Sequence, residues 1–255
     1  MDNERSIALA ATCAAFVAVP TLGAVIGQGE RTDRYDTVIT PPPYAFAIWA
    51  PIFGSCVAST LGQCLPAGRI STLSRRTGWP LAGAYAVNAA WSLAAQTDRF
   101  ALTPYLLPVA AGLAATAHVQ LQQAPRATGL NAVTPVSTGL LLGWTVLASA
   151  VNVVAARADR NTPKVVGPAT AGLLAVSAAV ATSVVRARRG GLPLAVASGW
   201  GLGALAGMRT RPRVVRLAAA VGAAAIGSAG LARGRLREFG AMNVLTLPLT
   251  RSSGT

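Results

Sequence analysis

The sequence predicts an all-α protein, a polytopic bundle of transmembrane helices, and three observations carry that expectation. Of 255 residues, 53% are apolar and only 12% are charged, against about 25% charged in an ordinary globular domain. The charges also avoid whole stretches. No Asp, Glu, Lys or Arg lies between Ile7 and Gln28, nor between Ala45 and Leu65, and a bilayer core asks for about 20 such residues per helix. No period-2 alternation of the kind a strand needs competes with this pattern.

Eight apolar stretches can be drawn, at roughly 7–28, 45–65, 79–96, 105–121, 135–155, 165–185, 192–208 and 214–232. The first reads as a retained helix and not a signal peptide, because Met1–Arg5 carries no net positive charge and no A-x-A cleavage site closes the run. The second is entered through Pro41, Pro42 and Pro43. Proline cannot continue a helix but suits its first turn, so a helix is expected to begin near Tyr44 at an angle the prolines set. On it Phe46, Trp49 and Phe53 fall at i, i+3 and i+7, within roughly a 60° sector, as one aromatic wall.

The third stretch carries Asn88, Trp91 and Ser92, and the fourth ends near His118, the chain's one histidine. In the fifth, Trp144, Ala148 and Asn152 are four apart and form a slanting stripe: a flat ring, a space beside it and a hydrogen-bonding amide. The last two stretches are rich in Ala and Gly, so their insertion signals are the softest, and seven spans is the alternative count. Gly199, Gly203 and Gly207 recur at i+4, as do Gly23 and Gly27, and such faces let helix backbones approach closely. The expected division of the chain is a bundle over 1–157, additional transmembrane helices over 158–238 and a tail over 239–255.

A net charge of +14 invites a nucleic-acid reading. The arginines instead cluster in short connectors, such as Arg209–Arg216 and Arg186–Arg189, where basic residues set orientation and meet anionic lipid headgroups. No nucleic-acid partner is expected. Twelve Lys and Arg fall on the side of both termini and ten on the other, a thin margin for placing both termini inside. Cys13, Cys56 and Cys64 show no metal-ligand spacing and read as small buried hydrophobes.

Polar groups inside the spans are where function is best sought, since an unsatisfied amide in hydrocarbon costs several kcal/mol. Singly, each Trp or Asn has a structural reading as a helix pin or an interface residue. Together, helices offering tryptophan beside small or amide neighbours suit a flat apolar ligand.

These residues resemble the TspO/MBR family of tryptophan-rich sensory or translocator proteins. "NAAWS" (Asn88–Ser92) is similar to that family's N-x-x-W-S in its third helix, and "WTVLASAVN" (Trp144–Asn152) to its fifth-helix W-x3-A-x3-N. Pro41, Pro42, Phe46 and Trp49 resemble its second-helix entry, with the tryptophan one residue early. The three motifs occur in the family's order within residues 7 to about 157. The resemblance implies a five-helix bundle around a pocket for flat hydrophobic molecules, typically porphyrins and other tetrapyrroles, sometimes sterols. Carried over, the pocket positions are Trp49, Asn88, Trp91, Trp144, Ala148 and Asn152, to which the aromatic wall adds Phe46 and Phe53.

The resemblance also implies that the connector over 29–44 is a lid. Glu30, Arg31, Asp33, Arg34 and Asp36 could pair among themselves there, and Tyr35 and Tyr44 could make contacts. The chain departs from the short family members in its two or three extra C-terminal helices, which could form a dimer contact. It also lacks a Tyr-then-basic pattern after Asn152, leaving sterol binding unsupported.

No Asp or Glu lies in any span, and no G-x-S-x-G, H-E-x-x-H or phosphate loop appears. A non-enzyme without a cofactor is expected, in the cell membrane. His118 reads as a hydrogen-bonded helix contact, with haem ligation the alternative. The competing functions are a small-solute transporter, which lacks internal symmetry here, and a structural subunit with no small ligand.

Overall fold

A computed structural model describes residues 1–25, 36–97, 99–157 and 162–245, with side chains through 233. Among these the chain is helical and shows no strand. The helices are α1 (Asp2–Val25), α2 (Trp49–Cys64), α3 (Pro66–Arg69), α4 (Thr72–Gln96), α5 (Thr103–Gln123), α6 (Thr134–Ala155), α7 (Pro163–Arg186), α8 (Gly191–Gly207) and α9 (Arg213–Leu245). All but α3 correspond to the eight apolar stretches. Six of the helical segments are long and apolar enough to cross a membrane. The remaining two are α4, which begins with Arg75 and Arg76 in its first turns, and α8, which is short.

Proline starts several of these elements: Pro66 opens α3, Pro104 and Pro135 stand in the first turns of α5 and α6, and Pro163 opens α7. Its fixed φ suits a first turn, and its missing N–H would have had no partner there. Before α2 a helical segment does begin beside Tyr44, but its first turns are not α-helical. Pro43–Ile48 forms a 3-10 turn, and the α-helix starts only at Trp49. The tighter turn opens with the Ala45 N–H donating to the Pro42 carbonyl, three residues back, at 2.9 Å.

The bundle is organised on α6. Two thirds of its apolar window is buried (67%), more than in any other candidate span among the described residues. It touches α2, α5, α7 and α8, while α4 bridges α1 to α5, and α9 packs on α7 and α8. Two of the helices after residue 157, α7 and α8, therefore lie directly on the central helix of the first five.

The α6–α8 seam is a backbone contact. A Cβ on Gly143 would lie 2.6 Å from the Leu194 carbonyl oxygen, and one on Gly139 would collide with the Gly190 carbonyl. The Ser198 hydroxyl donates to the Gly143 carbonyl at 3.0 Å, closing the seam with a hydrogen bond. This corrects the expectation placed on Gly199, Gly203 and Gly207, whose Cβ positions all meet open space. They point away from the bundle; the glycines that join helices are on the other partner, α6, and at Gly201. Gly23 does meet α4, against the Gln96 amide, and Gly27 lies outside the described residues.

Both ends are tied by polar groups. At one, Gln122 of α5 accepts from the Arg188 and Arg189 backbone N–H groups (2.8 and 3.0 Å), and Arg189 donates to the Pro125 carbonyl at 2.7 Å. On the same side, buried Arg5 pairs with Asp2 (2.6 Å) and donates to the Arg69 carbonyl. At the other, the Trp200 indole of α8 donates to the Ala45 carbonyl at 2.8 Å, pinning the 3-10 turn before α2.

The seam makes a paired prediction. Gly143→Ala forces a methyl against a backbone carbonyl, so unfolding followed by circular dichroism in detergent should show a loss of about 1–3 kcal/mol, the usual cost of overpacking. Gly203→Ala, facing open space, should be neutral or slightly stabilising, because Ala is the better helix former.

Candidate functional site

Helices α1, α4, α6 and α8 all end, and α2 begins, at the end of the bundle where Trp200 holds the 3-10 turn. In that half their side chains leave a cavity of about 770 Å³. All eight sequence-predicted positions line it: Phe46, Trp49, Phe53, Asn88, Trp91, Trp144, Ala148 and Asn152.

The aromatic wall combines edge-to-face pairs with one stacked pair. Trp144 meets Phe46 edge to face at 5.5 Å between centroids and Trp49 at 6.2 Å. Trp49 stacks on Phe53 at 5.3 Å, and Phe16 of α1 closes the set against both. Edge-to-face and offset pairs of this kind are favourable beyond the area they bury. Trp144 is 3% exposed and takes its place because α8 carries no side chain beneath it: a Cβ on Gly201 would sit 3.2 Å from the indole.

The polar residues divide into two roles. The Trp91 indole N–H donates to Asn152 Oδ1 at 2.9 Å, and Asn152 Nδ2 donates to the Ala148 carbonyl at 2.9 Å. Asn152 thus spends its amide pinning α4 to α6, and this pair presents mainly ring surface to the cavity. Asn88 is different. Its Nδ2 donates to the Ala84 carbonyl at 2.8 Å, which fixes the amide's orientation, and Oδ1 is left buried without a hydrogen-bond partner. With Asn88 only 2% exposed, this oxygen lies closed off in the wall behind the cavity lining. Such a group costs about 1–3 kcal/mol unless something donates to it.

Sequence reasoning missed part of the wall. Phe16, Pro20 and Thr21 come from α1, and Leu202, Leu205 and Met208 from α8 and its end. Leu147 and Val151 continue the stripe of Trp144 and Ala148 at i+3, so helical spacing alone could have added them. Nothing in an Ala/Gly-rich stretch marks α8 as a wall.

Two expectations, those for Tyr44 and His118, are corrected here. Asp36 of the connector pairs with Arg211, between α8 and α9, a partner that the spacing of the connector's own charges does not point to. Tyr44 contacts Trp200 edge to face at 6.1 Å and does not line the cavity. Glu30, Arg31, Asp33, Arg34 and Tyr35, the rest of the expected lid, lie outside the described residues. His118 is buried away from the cavity against Gly190, and neither ring nitrogen has a hydrogen-bond partner among the described residues. It is a packed histidine, not a hydrogen-bonded one.

A family model described as TSPO-like protein matches residues 6–232. The chain belongs to this family. The match runs through α7 and α8 and most of α9, so the C-terminal helices fall inside the TSPO-like region. No curated protein and no solved structure gives a significant match to the chain. With its apolar helices, this TSPO-like chain is a multi-spanning membrane protein.

The Trp91–Asn152 pin of the TSPO-like bundle is testable by a double-mutant cycle. Trp91→Phe and Asn152→Ala should each destabilise the protein, with a coupling of about 0.6–1.7 kcal/mol, the range seen for interhelical hydrogen bonds in membranes. Strictly additive losses in detergent unfolding would remove the pin.

Proposed function

We propose that this protein binds a flat hydrophobic ligand of the porphyrin or tetrapyrrole class in the cavity, in the cell membrane, to sense, buffer or pass it on. The observation that carries the reading is the convergence of three tryptophans, from α2, α4 and α6, on one void of about 770 Å³. Small-molecule sites are typically hollows of about 300–1,000 Å³, mostly apolar, with few polar groups. The size and the ring-lined wall both suit a planar apolar molecule.

In this reading Trp49, Trp144, Phe46 and Phe53 supply ring faces and edges, Ala148 leaves the space beside Trp144, and Trp91 is held square to the cavity by Asn152. Membership of the TSPO-like family supports the same ligand class. In this reading the protein acts as a binder, in keeping with a wall mainly of rings and aliphatic side chains among the described residues.

Adding protoporphyrin to the purified protein should quench tryptophan fluorescence saturably. Trp49→Phe with Trp144→Phe should remove most of that quenching. Trp79→Phe should leave it intact, since Trp79 is half exposed and does not line the cavity. Unsaturable quenching, or equal loss from all three substitutions, would contradict a defined site.

A further inference from the structure

Among the described residues, the cavity wall contains two charged side chains, Asp36 and Arg211. Both stand on its loop rim, beside Thr40 and Met208. An arginine cannot shed its proton, so one set into an apolar wall needs an anion beside it. Here the anion is Asp36, but the pair is lopsided. The Arg211 side chain is 13% exposed, while that of Asp36 is 60% exposed. Released from the pair, Asp36 would simply be hydrated. Arg211 would not.

The guanidinium also has a second anchor. Its Nε donates to the Thr40 carbonyl at 3.3 Å. That carbonyl belongs to a rigid knot, in which Thr40 Oγ1 accepts from the Thr37 backbone N–H at 3.0 Å and the two threonine hydroxyls meet at 2.9 Å. Arg211 therefore keeps its aim when its carboxylate partner changes.

We propose that Arg211 is the specificity residue of the cavity: it selects flat apolar ligands that carry a carboxylate, and that carboxylate takes the place of Asp36 on the guanidinium. Rings would lie among the tryptophans and the acid at the loop rim, where water is near. Arginine is suited to this exchange because its planar fork accepts one carboxylate as readily as another. Asp36 then acts as a built-in competitor that keeps the empty site paired. The assignment rests on the ligand-binding reading above and adds the ligand's charge to it.

The test compares protoporphyrin IX with its dimethyl ester, two rings of the same plane that differ in their carboxylates, by quenching titration of the full chain. The wild type should bind the diacid about tenfold more tightly, the scale of one charge-assisted hydrogen bond. Arg211→Gln should bring that ratio towards one. Asp36→Asn, an exposed change with little folding risk, should move it the other way by removing the competitor. Equal binding of acid and ester by the wild type, or a ratio unmoved by either substitution, would overturn the role of Arg211 while leaving the cavity a ligand site. Saturable binding of neither compound would overturn the ligand reading itself, and this inference with it.

Discussion

The cavity depends on one close approach, that of α6 to α8. Gly139 and Gly143 bring no side chain of their own to the contact, so the backbone of α6 comes up against the Gly190 and Leu194 carbonyls. In a bilayer, where lipid tails are as apolar as leucine, such packing and the hydrogen bonds beside it are what join helices. Ser198 adds one of those bonds across the seam. Trp144 follows Gly143 directly, and one turn further along α8 the bare backbone at Gly201 receives its indole. The same contact that joins the helices therefore fixes the ring on which the aromatic wall is built.

From there the parts follow in sequence. Trp144 turned inwards meets Phe46 and Trp49, which the 3-10 turn and the start of α2 present together. Trp200, on α8 itself, hydrogen-bonds that turn, so the C-terminal half holds the second helix's entry in place. Arg211 does the same for the segment just before it. The last helices thus act on the cavity twice, as wall and as brace. A family match that extends to residue 232 fits a unit in which they are built in.

Much of this was legible in the chain, for identifiable reasons. Helix number could be read because apolar runs and charged connectors alternate, and the aromatic face of α2 and the stripe on α6 because spacing of three, four and seven is the geometry of a helix. Other features depend on which helix lies against which, and one chain does not encode that locally. Gly199, Gly203 and Gly207 make a better i+4 series than Gly139 and Gly143, yet they face outwards. Phe16 sits in a uniformly apolar run with no polar neighbour to single it out, and it proves to stack on Tyr85 and edge onto Trp49. The amides show the same limit. Asn88 and Asn152 look alike in sequence, but one is spent on Trp91 and the other keeps a free acceptor, a difference set by what the facing helix brings.

The central claim is that helices from both halves of the chain enclose one ligand hollow. Photo-crosslinking with a porphyrin carrying a diazirine, followed by mass mapping of the adducts, tests it most directly. The account predicts adducts in two places at once, around Trp49 and Trp144 and around Leu202 and Leu205 of α8, all suppressed by excess unlabelled porphyrin. Adducts confined to residues before 157, or scattered without competition over outward positions such as Trp79, would contradict it.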